Sequence, residues 1–118
     1  MQLRWRQLGD VTAVELDEDT LDAERADAFR IQLEARLHAS PKVLLDLGAV
    51  AFADSTGLGA ILVCLHRAAA AGGKLRICGL RPLVQEMFHV LKLDRMVDVH
   101  VTAEEALLAF GAEAPIAT

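Results

Sequence analysis

The chain has 118 residues, of which 53% are apolar and 25% charged, a balance typical of a globular domain and not of a disordered segment. Aromatic residues make up only 4%, so the core has to be aliphatic, and a base-stacking surface for RNA is disfavoured. The net charge is −5 and the basic residues are scattered, which argues against direct nucleic-acid binding.

The N-terminal segment predicts a β-hairpin. Residues 3–6 alternate between apolar and polar side chains, which is the period of a strand. Gly9 and Asp10 form a turn signal, and the run 11–16 predicts the second strand. The acidic run 17–20 is expected to be a solvated loop, with an edge that contacts a partner as the alternative.

A helix is predicted from about Asp22, because the apolar residues take up a helical period there. Four of them share one face: Ala26, Phe29, Leu33 and Leu37. The acidic residues near its start suit the positive end of the helix dipole. Ser40 and Pro41 stop the helix.

The middle of the chain predicts a buried strand followed by a second helix. Residues 43–47 are nearly all apolar and bounded by breakers, which is typical of a strand covered on both faces. Residues 50–53 then lead into Asp-Ser-Thr-Gly. The helix is predicted from about Thr56 to Ala71, where a Gly-Gly pair ends it.

The C-terminal third predicts a strand, a helix, a strand and a helix. Residues 75–78 form the first strand, and Pro82 suits the first position of the helix. The apolar face of that helix is expected to hold Leu83, Met87, Val90 and Leu91. Residues 97–101 alternate as a strand, and Thr102 with Glu105 forms a capping box for the last helix.

The order of elements is thus β-β-α-β-α-β-α-β-α, which predicts an α/β fold with a mostly parallel sheet and right-handed crossovers. The sequence contains no internal repeat and no linker. We therefore expect a single domain over residues 1–118, with a frayed tail from Gly111 onward.

The two cysteines, Cys64 and Cys78, belong to no Cys-x-x-Cys pair and to no His-rich spacing, so we expect buried apolar side chains in a cytoplasmic protein. The N-terminus lacks the apolar stretch of a signal peptide. No apolar run approaches the roughly 20 residues that span a membrane. We expect no metal, no cofactor and no membrane span, and nothing resembles a phosphate-binding loop.

Residues 54–59, Asp-Ser-Thr-Gly-Leu-Gly, carry the functional signal. Ser55 lies where a strand gives way to a helix, so its hydroxyl is expected to cap the first backbone N–H groups of that helix. Because these groups also favour an anion, a phosphate on Ser55 would be tolerated without unfolding the domain. It would add about −1.5 to −2 charges beside Asp54, and so change binding and not the fold.

Two glycines in the same segment, Gly57 and Gly59, lower the helix propensity by about 1 kcal/mol each relative to alanine. Either a partner chain approaches the bare backbone closely, or the helix packs tightly against the sheet. The spacing alone does not decide between these two interpretations.

The predicted helix after this segment has two faces. The inward face is expected to hold Leu58, Ile61, Leu62, Leu65 and Ala69. The opposite face holds Ala60, Val63, Arg67 and Ala70. Small apolar residues exposed near a candidate switch serine favour a docking surface. The alternative is that a neighbouring element covers this face.

The sequence resembles the STAS domains, and among them the bacterial anti-sigma factor antagonists. The resemblance rests first on Leu45-Asp46-Leu47 and on the run from Phe52 to Gly59. It extends over about residues 9–110 through further segments: Gly9-Asp10-Val11, Leu21-Asp22, Gly72-Gly73-Lys74-Leu75, Leu91-Lys92-Leu93-Asp94 and Glu104-Glu105-Ala106-Leu107.

The resemblance implies a small βα superhelix with a mixed sheet of four or five strands and four helices. It implies that the partner is an anti-sigma factor with a GHKL-type serine kinase fold, which would phosphorylate Ser55, and that a PP2C-type phosphatase would reverse this. The unphosphorylated protein would bind the anti-sigma factor and free a sigma factor. The expected partner-binding residues are Asp54, Ser55, Thr56, Gly57, Leu58, Gly59, Val63 and Arg67.

Parts of the sequence suggest two other functions, an enzyme and a different kind of binding subunit. A serine hydrolase is disfavoured because residues 53–57 are not a Gly-x-Ser-x-Gly elbow and the four histidines are dispersed, so we expect no enzyme activity. STAS-like domains also serve as non-catalytic subunits of transporter ATPase complexes or of signalling scaffolds. Such a subunit would use the exposed helix face without needing phosphorylation of Ser55.

Overall fold

The order of strands and helices predicted from the sequence is confirmed by the computed structural model, which describes residues 1–112. These residues contain β1 (Leu3–Leu8), β2 (Val11–Leu16), β3 (Thr20–Leu21), α1 (Ala23–Ala39), β4 (Lys42–Asp46), β5 (Phe52–Ala53), α2 (Ser55–Ala70), β6 (Lys74–Cys78), α3 (Pro82–Val90), a 3₁₀ turn (Leu93–Arg95), β7 (Asp98–His100) and α4 (Ala103–Ala112). The two-residue strands β3 and β5 are additions to the predicted order.

Five strands form one mixed sheet in the order β1-β2-β4-β6-β7. Strands β1 and β2 pair antiparallel through a turn at Gly9, whose φ of 64° suits a residue without a side chain. The other neighbouring pairs are parallel. The predicted α/β class, with a mixed sheet and four helices, is therefore confirmed.

Helices cover both faces of this sheet. On β4, Val43 and Leu45 point into the larger core with helices α1, α2 and α3, whereas Leu44 between them points into a smaller core with Phe110 of α4. This alternation confirms that the strand at 43–47 is covered on both faces. Within residues 1–112, no helix combines the length and the apolar composition that crossing a membrane requires.

A second, two-stranded sheet joins the loop after β2 to the segment before α2. Strands β3 and β5 pair in parallel, with Thr20 opposite Phe52. The backbone carbonyl of Asp19 accepts a hydrogen bond from the amide of Ala51 at 2.8 Å. The acidic run 17–20 is thus held beside the start of α2 and is not a detached loop.

The predicted apolar face of α3 is wrong except at Met87, which packs against the core. The helix turns Val84 and Phe88 into the core, with 1% and 0% of their surface exposed. Leu83 and Val90 are instead 50% and 69% exposed. Both pairs fit a helical period, so the apolar pattern of this short helix could not select the buried one.

The last helix begins as predicted and ends later than expected. The amide of Glu105 donates to the Thr102 hydroxyl at 3.2 Å, and the Glu105 carboxylate accepts from the amide preceding Thr102 at 3.3 Å. Helix α4 then continues to Ala112, so the tail predicted from Gly111 is wrong for these two residues. The rest of the predicted tail, 113–118, lies outside the described residues.

Both cysteines are buried apolar side chains, as predicted. Cys64 of α2 is fully buried and Cys78 of β6 is 1% exposed. Burial raises the pKa of each thiol from 9.0 to about 12, and the nearby carboxylates of Glu34 and Asp46 add to the two shifts. Both thiols are therefore protonated and poorly nucleophilic at neutral pH.

We predict that these thiols make the free energy of unfolding fall as the pH rises from 9.0 toward about 12. The unfolded chain releases its thiol protons near 9.0 and the folded chain only near 12, so the stabilisation is complete below 9.0 and is lost above it. Urea unfolding of the wild type and of a Cys64→Ala/Cys78→Ala variant should show a shallower decline for the variant. Equal declines would contradict the prediction.

Candidate functional site

One carboxylate joins the first turns of α1 and α2. Asp54 precedes α2, and its Oδ1 accepts a hydrogen bond from the backbone amide of Gly57 at 2.8 Å. Its Oδ2 accepts from the amide of Ala23, the first residue of α1, at 3.0 Å. Asp54 is therefore the N-cap of α2 and also satisfies an otherwise unpaired amide of α1.

The position of Ser55 corrects the predicted cap. Ser55 is the first residue of α2, and the capping role expected of its hydroxyl belongs to Asp54 one position earlier. Within residues 1–112, the Ser55 hydroxyl forms no hydrogen bond, and Ser55 and Thr56 are both exposed. The first turn of α2 therefore presents an uncommitted hydroxyl to solvent at the positive end of a helix dipole.

The two glycines of this turn have different surroundings. A Cβ on Gly57 would overlap the backbone carbonyl of Leu21 in β3, so this glycine allows α2 to pack tightly against the two-stranded sheet. A Cβ on Gly59 would meet nothing within 4 Å. Tight packing thus accounts for Gly57, whereas Gly59 leaves bare backbone on an open side of the helix.

The faces of α2 differ from the prediction because α1 lies along its flank. Leu58 is 1% exposed, so the predicted contact of its side chain with a partner does not fit its place in the core. Ala60, predicted to face outward, is 7% exposed, whereas Ala69, predicted to face inward, is exposed. Val63 and Arg67 remain at the surface, Val63 with 37% of its area exposed.

The structure adds a surface residue that the sequence did not single out. Phe52 of β5 is 46% exposed and lies three positions before Ser55. Its neighbour Ala53 is buried, since successive side chains of a strand point to opposite sides. In a sequence, an aromatic residue among apolar strand residues predicts a buried side chain. Only the tertiary structure shows that this ring is half exposed.

The surroundings of the turn are acidic. Glu18 accepts hydrogen bonds from the backbone amide of Gln2 at 2.8 Å and from Arg25 at 3.3 Å, which together lower its pKa. Arg25 also bonds Asp22, the N-cap of α1, and these two carboxylates raise its pKa. The cation beside the site is therefore already engaged with two carboxylates of its own chain.

In the part of the chain that the structure describes, no three His, Cys, Asp or Glu side chains are grouped so as to hold a metal ion. His66 of α2 and His89 of α3 are exposed, and His89 bonds Asp94 at 2.9 Å. What the arrangement offers is an exposed hydroxyl at the start of a helix, where another protein can reach it.

Comparisons with known proteins agree with one another. Residues 2–106 match the STAS domain family. BtrV of Bordetella bronchiseptica, named as a candidate anti-sigma factor antagonist, is 33% identical over 89 residues, which cover 71% of this chain and 77% of BtrV.

Several solved structures share the fold, among them one from Thermotoga maritima and one from Bacillus. A candidate anti-sigma factor antagonist of Thermotoga maritima has a TM-score of 0.81 at 26% identity, covering 91% of this chain and 92% of that one. The phosphorylated form of the Bacillus cell-fate determinant SpoIIAA has a TM-score of 0.69 at 18% identity, covering 92% of this chain and 99% of that one. The second similarity, at this low identity, shows the fold alone.

We predict opposite effects of alanine at the two glycines. Gly57→Ala should lower the free energy of unfolding by about 1–3 kcal/mol, because the new methyl group displaces the backbone of β3. Gly59→Ala should leave it unchanged or raise it by up to about 1 kcal/mol, because alanine favours the helix and meets open space. Urea unfolding measures both, and equal losses would contradict the assigned roles.

Proposed function

Since this chain belongs to the STAS domain family, we propose that it is an anti-sigma factor antagonist whose binding is switched off by phosphorylation of Ser55. The observation that carries the proposal is the exposed Ser55 hydroxyl at the start of α2. The names of BtrV and of the Thermotoga protein support the antagonist role. That a protein of the same fold exists in a phosphorylated form supports the switch.

A phosphate on Ser55 fits the local structure. The neighbouring Asp54 carboxylate caps the helix, so adding the phosphate removes no cap. The first backbone amides and the dipole of α2 favour negative charge at this position. The added charge of about −1.5 to −2 would therefore leave the fold intact.

The same phosphate would act strongly on a docked partner. A partner surface shaped for the neutral hydroxyl would have to exclude a bulky, strongly hydrated dianion. The adjacent Asp54 carboxylate would add to any repulsion felt by a partner carboxylate. Phosphorylation would thus change affinity without changing the conformation of the domain.

The proposed partner is an anti-sigma factor with a GHKL-type serine kinase fold, which binds the unphosphorylated protein, releases its sigma factor and can phosphorylate Ser55. A PP2C-type phosphatase would restore the binding form. The chain itself would be a non-catalytic binding protein. Its contact surface would comprise Ser55, Thr56 and the bare backbone at Gly59, with Phe52 and Val63 at the edges.

We predict that Ser55→Asp abolishes capture of the kinase from a lysate of the source cell, whereas Ser55→Ala retains it. The carboxylate imitates part of the phosphate charge, and alanine keeps the neutral surface. Mass spectrometry of the captured proteins gives the result. A transporter ATPase or a scaffold protein retained equally by wild type and Ser55→Asp would overturn the switch and favour the other STAS role.

We predict that Val63→Glu and Phe52→Ser each weaken binding of that kinase by about tenfold or more, because each removes apolar contact area at an edge of the proposed surface. Leu108→Glu is the matched control. Leu108 is 75% exposed on α4, which packs on the opposite face of the sheet. Isothermal titration calorimetry measures the affinities, and equal binding by all three folded variants would contradict the proposed surface.

A further inference from the structure

Asp54 lies directly before Ser55, the proposed site of phosphorylation, and is the N-cap of the helix that Ser55 begins. We propose that Asp54 is a positioning residue, which fixes the orientation of Ser55 by tying the N-terminus of α2 to that of α1. In this role its carboxylate acts inside the protein and is not a contact for the partner. The inference rests on the proposed function of Ser55 for its kinase readout, but its structural readout is independent of any partner.

The geometry of the bridge supports this role. The two carboxylate oxygens of Asp54 accept from different helices, Oδ1 from Gly57 at 2.8 Å and Oδ2 from Ala23 at 3.0 Å. Ala23 lies 31 residues earlier in the chain, so this is a tertiary contact and not a local cap. Each oxygen already accepts a hydrogen bond within the protein, so the orientation of the carboxylate is fixed by groups of its own chain.

The backbone around Asp54 is held as well. Its amide donates to the carbonyl of Leu21 in β3 at 3.2 Å, and that same carbonyl is the group which a side chain on Gly57 would strike. The residue before Ser55 is thus fixed through its amide and both of its side-chain oxygens. Ser55 follows directly, so these three hydrogen bonds constrain the direction of its Cα–Cβ bond together with the helix that begins there.

A carboxylate suits this position better than any other capping group. Serine offers one oxygen on a shorter side chain, which can hold the amide of Gly57 but not that of Ala23 as well. Asparagine offers one oxygen and one NH₂ group, and the NH₂ group would face the amide donor of Ala23. Both residues are good N-caps for a single helix, so substituting them at position 54 separates capping from bridging.

The structural readout uses the isolated protein. In Asp54→Asn and Asp54→Ser, hydrogen exchange at the Ala23 amide should rise about fivefold, the factor that corresponds to losing a cap of about 1 kcal/mol. Exchange at the Gly57 amide should change little, because either side chain still caps α2. The NMR order parameter of the Ser55 backbone should fall from about 0.85 toward 0.6 or below as the turn loosens.

The functional readout uses the kinase captured by the wild-type protein. For phosphorylation of Ser55, kcat should fall roughly tenfold or more in both variants, because a small displacement of the attacking hydroxyl is costly. KM should stay within about twofold, because the docking side chains are unchanged. A general loss of folding would instead raise the apparent KM and leave kcat unchanged, because it lowers the concentration of substrate that the kinase can bind.

Asp22→Ala is the matched control. Asp22 is the N-cap of the same helix α1, where its side chain accepts from the amide of Arg25 at 3.2 Å. Its loss should lower the free energy of unfolding by about as much as the Asp54 substitutions do, and leave the order parameter and phosphorylation of Ser55 at wild-type values.

The outcomes separate the positioning role from the proposed function. If Ser55 stays rigid in Asp54→Asn and Asp54→Ser, the positioning role of Asp54 is overturned. It is also overturned if these variants are phosphorylated at the wild-type rate. An equal effect of Asp22→Ala on Ser55 also overturns it, since α1 stability alone would then be responsible. If wild-type protein captures no kinase, the proposed function fails, while the exchange and order-parameter results still decide the positioning role.

Discussion

The site depends on two helix N-termini that share one side chain. Each helix begins with backbone amides that lack partners within the helix, and a shared carboxylate can satisfy one amide of each only where the two helices begin close together. Asp54 does so for α1 and α2. The two-stranded sheet of β3 and β5 sets that distance, because it ties the residues before α1 to the residues before α2.

Tight packing around Gly57 belongs to the same arrangement. The first turn of α2 lies so close to the Leu21 carbonyl that only a residue without a side chain fits there. Gly59, one half-turn further, has no such neighbour. The two glycines of the motif therefore differ in kind, since one maintains the fold and the other leaves open surface beside the serine.

Most of the fold could be predicted because apolar periodicity reports burial directly. The buried residues of α1 and the doubly covered strand at 43–47 follow from their patterns, and the resemblance to STAS domains implied the mixed sheet with four helices. The apolar face of α3 could not be predicted, since two sets of residues fit the same period over nine positions. The strands β3 and β5, at two residues each, are too short to have a period.

The site was predictable in position but not in the division of its roles. Asp54 and Ser55 are both preferred N-cap residues, and which of two adjacent residues caps a helix depends on backbone angles that composition does not report. The second hydrogen bond of Asp54 reaches a residue 31 positions away, which no local pattern contains. The exposure of Phe52 likewise depends on what the tertiary structure leaves uncovered.

The division of roles between these two residues has a chemical consequence. If Ser55 capped its own helix, its oxygen would be engaged with a backbone amide, and phosphorylation would have to disturb that cap. With the cap supplied by Asp54, the Ser55 hydroxyl is uncommitted, and the proposed modification would leave the helix start unchanged. If Ser55 is modified reversibly as proposed, its place beside the residue that caps the helix lets the modification come and go without a change in the fold.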